Sequence, residues 1–314
     1  MTGDKAGCIA TNVIPIYDEY GIQKRQDAYL LVSRRSLELL KTKIHNITPE
    51  DNLEALQTLF QLLEKDGRKI CKKPVMVSNY GGTAGGRSEI MWDMLRTQDI
   101  DRKFITKKNS SLLSSFVGDS IAGVLNGGKA FEAYIHKMNN VISKKGKPIT
   151  WDTSDGFHVI HVKKKELKPK QVTCLLPGSR KATVIWKKTY SEDINPVKMK
   201  SAISPNYVHS LDAELLRRVA LKMQEEGIFQ TDWIHDSFGC HPNHINLMLE
   251  ITKKVFSSLM KLNPLKALDN QLREQCDDSK ASQKLINTIK IPNLGGLNTD
   301  TDFDLVIKSH WFFS

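Results

Sequence analysis

Cysteine is scarce in this 314-residue chain. The five present, Cys8, Cys71, Cys174, Cys240 and Cys276, are scattered, odd in number and form no CxxC pair. That argues against a disulfide framework and a structural zinc site, and it fits a reducing cytosol. Long apolar runs are missing too. No stretch reaches the roughly 18 residues that read as a membrane-spanning helix. The opening MTGDKAGCIATNVIPIYDEYG has early acids, no apolar h-region and no Arg-rich amphipathic pattern. It reads as neither a signal peptide nor an organellar transit peptide. Repeats and low-complexity tracts are absent. Acidic side chains are in deficit: 35 Asp and Glu against 46 Lys and Arg give a net charge of +11. Such an excess suits a polyanion partner, because basic side chains release condensed counterions from phosphate backbones. A soluble basic protein without such a partner has the same composition. What the chain does have is about 40% hydrophobic residues, enough for a real core and one or two domains.

Apolar residues at helical spacing in SLELLKTKI and NLEALQTLFQLLEK predict helix over most of 17–65. Thr48 before Pro49 and Glu50 marks a helix start between them. Residues 111–143 read as helices broken near NGGK. Beyond 150 the texture changes. ITWDTSDGFHVIHVKK alternates and turns at SDG, and QVTCLLPGSRKATVIWKK repeats the form around PGS, so both read as β-hairpins. SLDAELLRRVALKMQEEG returns to helix, with Ser210 as its cap and Gly227 as its stop. Two short strands, TDWI and FGCH, then meet at His235-Asp236-Ser237, and more helix follows.

Three stretches carry candidate chemistry. Asp236 is a lone acid at a tight strand-to-strand turn, where a carboxylate projects at a fixed place; a turn-capping aspartate has the same signature. Arg68, Lys72, Met76 and Tyr80 recur every four residues, so on a helix they share one stripe. Arg and Lys one turn apart can hold a triphosphate, the Arg as a planar fork and the Lys as a mobile point charge. A solvated basic face looks alike, and Pro74 starts or kinks the helix nearby. His209, in SPNYVHSLD, precedes the helix expected from Ser210, where a single histidine is commonly structural.

Together these stretches resemble the single-subunit RNA polymerases of bacteriophages and mitochondria. Arg68-x3-Lys72-x7-Tyr80-Gly81 is similar to motif B on the fingers helix of the wider family A polymerases, and His235-Asp236 to palm motif C. SPNYVHSLD, WIHDSFG, WDTSDGFHV and the aromatic end FFS point to the RNA-synthesising branch. The resemblance runs along essentially the whole chain.

The resemblance implies an α+β fold. Residues 1–203 would be mostly helical fingers, with a basic hairpin insertion at about 165–188. Residues 204–314 would be the carboxy-terminal half of a right-hand palm, an antiparallel hairpin with flanking helices. It implies nucleotide addition to an RNA 3′ end by two-metal phosphoryl transfer. Asp236 would bind Mg2+, two ions being shared with a motif A aspartate. Lys72 would contact the triphosphate and protonate the leaving pyrophosphate, and Arg68 would bind the triphosphate. Tyr80 and His209 would select ribose, and His235 would support the primer end. Gly81 and Gly82 would let the backbone pass close to the template base. The insertion, with nine Lys or Arg and one Glu over 163–188, would be the promoter specificity loop. There Lys168, Lys170, Arg180 and Lys181 would meet DNA; an ordinary basic surface hairpin is the alternative.

Motif A is missing from the sequence. DEYG at 18–21 and MWDML at 91–95 contain acids outside its pattern, and Met1 falls just after its place in the family. The expectation is therefore a chain inactive alone, one subunit of a split, heterodimeric phage polymerase in infected bacterial cytoplasm, not secreted. A second subunit would bring motif A, the thumb and the amino-terminal domain. An engineered or proteolytic fragment is the competing origin. Template DNA, RNA product and ribonucleoside triphosphates complete the expected partners. Two other functions compete. A family A DNA polymerase fragment usually has HDE at motif C, whereas Ser237 stands here. A dead nucleic-acid-binding module would not need Arg68, Lys72, Tyr80 and Asp236 together.

Overall fold

The computed structural model describes residues 5–79, 82–143, 146–175, 177–178, 182–235, 237–276, 279–294 and 300–312. Helices dominate, interspersed with two-stranded antiparallel hairpins, so the expected α+β class is observed. Three apolar clusters organise the chain.

The first cluster is helical. α2 (Ala28–His45), α3 (Leu53–Asn79), α4 (Ala84–Leu95) and α5 (Lys107–Val124) bury Val32, Leu40, Leu59, Leu63, Met91, Leu113 and Val117 against one another. Asp27, Thr83 and Thr106 cap the N-termini of α2, α4 and α5, satisfying amides that have no partner within the helix. α3 starts at Leu53, later than the Thr48-Pro49-Glu50 signal predicts. Thr48 instead donates its N–H and hydroxyl to Asp51, while Asn52 accepts the Ala55 N–H. α3 is also continuous through Pro74, and its interruption lies at Asp66, with φ −125° and ψ 22°.

The second cluster joins α6 (Asn126–Ile142) to the first half of α7 (Pro196–Glu225), β3 (Ile149–Asp152), α9 (Pro264–Glu274) and α10 (Lys280–Thr288). The break before α6 falls at Leu125, next to NGGK. α7 begins at Pro196, capped by Asn195, and runs through Pro205. Ser210 is therefore mid-helix and not a cap: its buried hydroxyl donates to the Tyr207 carbonyl and accepts the indole N–H of Trp151. Met199, Ile203, Tyr207 and Leu211 bury one stripe of this helix in the core, which offsets the amide lost at Pro205. The expected 203/204 domain boundary falls inside α7.

The third cluster packs the second half of α7 on α8 (Ile245–Lys261) and α11 (Asp300–Lys308), with Cys8 of α1 (Lys5–Ala10), Val13 and Ile14 from the start of the chain. The remaining strands are hairpins. β1 (Ile16–Tyr17) pairs with β2 (Gln23–Lys24), and β3 with β4 (His158–His161). β5 (Lys164–Glu166) pairs with β8 (Tyr190–Ile194), β6 (Lys170–Leu175) with β7 (Ala182–Lys187), and β9 (Thr231–Ile234) with β10 (Ser237–Cys240). The hairpins read from SDG, PGS and the HDS turn are all present. At the first two, Gly156 and Gly178 take φ of +85° and +81°, a region glycine enters without a Cβ clash.

Candidate functional site

The β9–β10 turn is two residues long, since Ile234 pairs directly with Ser237. A two-residue turn of this kind needs left-handed backbone, and His235 supplies it with φ 52°. A non-glycine residue there is uncommon and costs about 1–3 kcal/mol, which the surroundings must offset. Here Trp233 and Phe238, one on each strand, meet edge to face at 5.1 Å and pack on the third cluster. His235 is exposed. Asp236 lies outside the described residues. Among the described residues, no group of three His, Cys, Asp or Glu gathers to hold a metal.

Arg68 and Lys72 follow the Asp66 break on α3, one turn apart, and both are exposed, as is Met76. The expected stripe therefore faces outward. Its last members, Tyr80 and Gly81, lie outside the described residues. Gly82 closes the helix by donating its N–H to the Val77 carbonyl at 3.0 Å. A Cβ at Gly82 would stand 2.8 Å from that carbonyl oxygen, so this close approach requires glycine. Arg68 is not free: its Nε donates to Asp27 at 2.6 Å, and its guanidinium lies over the Tyr29 ring. This partnership joins residues 41 positions apart, and nothing local in the sequence announces it. Among the described residues no hydrogen bond or ion pair links Arg68 or Lys72 to the β9–β10 hairpin.

His209 lies on the exposed side of α7, while its neighbours Tyr207 and Ser210 point into the second cluster. Around it, α7 pins the β3–β4 hairpin. Glu214, almost fully buried, accepts from the Ser154 hydroxyl and pairs with Arg218. Arg217 holds Asp155 at 2.5 Å and stacks over Phe157. Burial raises the Asp155 pKa, but the Arg217 guanidinium and the Thr153 hydroxyl outweigh it and bring it down to about 2. Farther back along the helix, buried His161 donates Nε2–H to the Met199 carbonyl and accepts from the Asn206 amide at Nδ1. Burial lowers its pKa, so it stays neutral. The sequence showed no sign of this hairpin clamp, because its partners are distant in the chain.

The basic ribbon is longer than 165–188, because β5 and β8 extend it to Ile194 with a register shift between Lys164 and Glu166. At its foot lysines are paired: Lys164 with Glu192 at 2.7 Å and Lys198 with Glu166 at 2.6 Å. Farther out, Lys168, Lys170 and Lys187 are exposed and form no ion pair among the described residues. Trp186 stands beside them, 66% exposed. Arg180 and Lys181 lie outside the described residues. A trough of about 950 Å3 lies between the foot of the ribbon and α7, lined by Lys163, Lys187, Lys188 and Tyr190 among others.

Among the described residues no helix is long and apolar enough to cross a membrane. The mouse mitochondrial DNA-directed RNA polymerase is 27% identical over a 320-residue alignment, covering 99% of this chain and 25% of the mouse protein. The human mitochondrial enzyme is 26% identical, over 79% of this chain and 20% of its own length. The Arabidopsis thaliana mitochondrial DNA-directed RNA polymerase 1 is 24% identical, over 99% of this chain and 29% of its own. The chain thus spans about a quarter of the length of these relatives. They are organellar proteins, and they lend no support to the expected bacteriophage origin. Residues 1–300 match the family described as DNA-dependent RNA polymerase; the chain belongs to that single-subunit polymerase family.

Proposed function

We infer that this chain supplies the nucleotide-binding helix and one catalytic carboxylate of a DNA-directed RNA polymerase. The family match over residues 1–300 carries the reading. It is supported by Arg68 and Lys72 exposed one turn apart on α3, and by the left-handed backbone of His235 where β9 turns into β10. In this reading Arg68 and Lys72 bind the triphosphate and Lys72 protonates the leaving pyrophosphate. Tyr80 and His209 sense the 2′-hydroxyl, Gly81 gives the backbone room at the template base, and His235 supports the primer end. Lys168, Lys170, Arg180 and Lys181 on the ribbon contact DNA. Residues 1–203 act as fingers and 204–314 as half of the palm.

Among the described residues no group of three candidate ligands forms a metal centre. Asp236 offers a hard oxygen donor of the kind Mg2+ takes, but it is one ligand, and a two-metal site needs more than one carboxylate. The other carboxylate would come from polypeptide outside residues 1–314, a second subunit in the heterodimeric reading or a further segment of the same chain. Asp236→Asn tests the assignment. In the complete polymerase it should abolish nucleotide addition while template binding persists, because the amide keeps the shape and loses the charge. Primer extension at near wild-type rate would reduce Asp236 to a turn residue.

A further inference from the structure

Asp27 lies outside the residues assigned to the nucleotide, yet its carboxylate is fixed at both ends. As the N-cap of α2 it has extended backbone, and Oδ1 accepts the N–H groups of Tyr29 at 2.9 Å and Leu30 at 3.1 Å. Oδ2 accepts Nε–H of Arg68 at 2.6 Å. The Tyr29 ring lies under the guanidinium, 5.5 Å from its carbon. Cap, ring and carboxylate thus hold one arginine in one orientation. Burial raises the Asp27 pKa, but Arg68 and the two amides outweigh it and keep the group ionised.

A guanidinium offers five N–H donors in a planar fork. Here only Nε is engaged: among the described residues neither Nη atom donates to a protein acceptor, and the side chain is 54% exposed. An exposed ion pair contributes little to stability, and this one also dilutes positive charge beside a triphosphate site. Its benefit is therefore orientation. Two parallel bonds to phosphate oxygens need the fork already aimed, so that less freedom is lost on binding.

We propose that Asp27 is a positioning residue for the incoming nucleotide, holding Arg68 by Nε so that both Nη atoms receive triphosphate oxygens. The inference rests on the assignment of Arg68 to the triphosphate. Lys72, one turn along the same exposed stripe, completes the grip as a point charge.

Steady-state RNA synthesis by the complete polymerase tests it with Asp27→Asn, Asp27→Ser, Arg68→Ala and the Asp27→Asn/Arg68→Ala pair. Asn and Ser both cap helices well, so α2 keeps its start while Arg68 loses its anionic anchor. Each Asp27 variant should raise KM for the ribonucleoside triphosphates about tenfold, with kcat changed less than about twofold. Melting temperature should stay within about 2 °C of wild type, as for an exposed pair. The double variant should be no worse than Arg68→Ala alone, since Asp27 acts only through Arg68. Wild-type KM in both Asp27 variants, beside a raised KM in Arg68→Ala, overturns the proposal and leaves the role of Arg68 standing. An additive double variant overturns it as well, and so does a raised KM that appears only with a large loss of melting temperature. Wild-type KM in Arg68→Ala removes the assignment of Arg68 and the proposal with it.

Discussion

A methyl group added at Gly118 would lie 2.7 Å from Nη2 of Arg87. The guanidinium of Arg87, on α4, is laid across α5 at Gly118, where no side chain stands in its way. From there Nη1 donates to the Gly82 carbonyl at 3.3 Å, in the turn that ends α3, while its buried Nε has no partner among the described residues. Gly118→Ala should push this flexible side chain off the turn. The lost hydrogen bond, about 1 kcal/mol, roughly cancels the helix propensity gained, also about 1 kcal/mol. In an Arg87→Ala background nothing has to move, and Gly118→Ala should stabilise the protein by about 1 kcal/mol. Urea denaturation of the four proteins measures this coupling. An equal gain with and without Arg87 would show that the guanidinium does not lie there.

His161 sets a pH dependence of stability. It is fully buried, with both ring nitrogens in hydrogen bonds that specify the neutral form. Burial is the main cause of its lowered pKa, and Lys163 adds to it. The unfolded chain then takes up the proton first, at the free imidazole value near 6.5. Stability is therefore full above about pH 6.5 and falls as the pH drops below it. His161→Gln keeps one donor and one acceptor and cannot titrate, so its melting temperature should fall less between about pH 7 and pH 5. Identical slopes for the two proteins would exclude His161 as a contributor. His136, also lowered by burial, adds a share that remains in the variant.

Local chemistry made the hairpins legible: SDG and PGS each carry the glycine their turn requires, and alternation marks the strands on either side. The outward stripe of Arg68, Lys72 and Met76 was legible for the same reason, since spacing alone fixes a helix face. What failed was decided at a distance. Ser210 looks like a cap because serine before a leucine-rich run usually is one. Yet the burial of Met199, Ile203 and Tyr207 extends α7 back to Pro196 and turns that serine into the acceptor for Trp151. Nothing near Asp27 in the sequence announces Arg68, 41 positions away. Nothing beside Glu214 in its own helix announces that Ser154, 60 positions away, closes over it together with Arg218.

Ribose selection gives a prediction on residues assigned through the family. Tyr80→Phe in the complete polymerase should narrow the preference for ribonucleotides over deoxyribonucleotides by at least about tenfold, the worth of one hydroxyl contact. His209→Ala should act in the same direction. Its place on the exposed side of α7 means that melting temperature should barely change. Competition between rNTP and dNTP on one primer measures the ratio. Unchanged dNTP incorporation in both variants would count against an RNA polymerase pocket.

Ile234 stands immediately before the His235-Asp236 turn and is 58% exposed, with Phe229 nearby in sequence at 70%. Trp233 and Phe238 use the other face of the hairpin for this chain's own core. The open face is where polypeptide bearing the second carboxylate would reach the turn, since the two metals of such a site sit about 3.5–4 Å apart. Ile234→Asn should therefore leave residues 1–314 alone within about 0.5 kcal/mol of wild type, as exposed substitutions generally do. Against the rest of the polymerase it should cost about 1–3 kcal/mol, because an amide would be buried without a partner. That is roughly a 5- to 150-fold rise in dissociation constant, measurable by titration calorimetry or co-purification. Residues 1–314 on their own should show no template-directed synthesis, and adding the missing polypeptide should restore it. Wild-type affinity in Ile234→Asn would mean that this face stays open in the assembled enzyme. Robust synthesis by residues 1–314 alone would mean that both metal carboxylates lie within them.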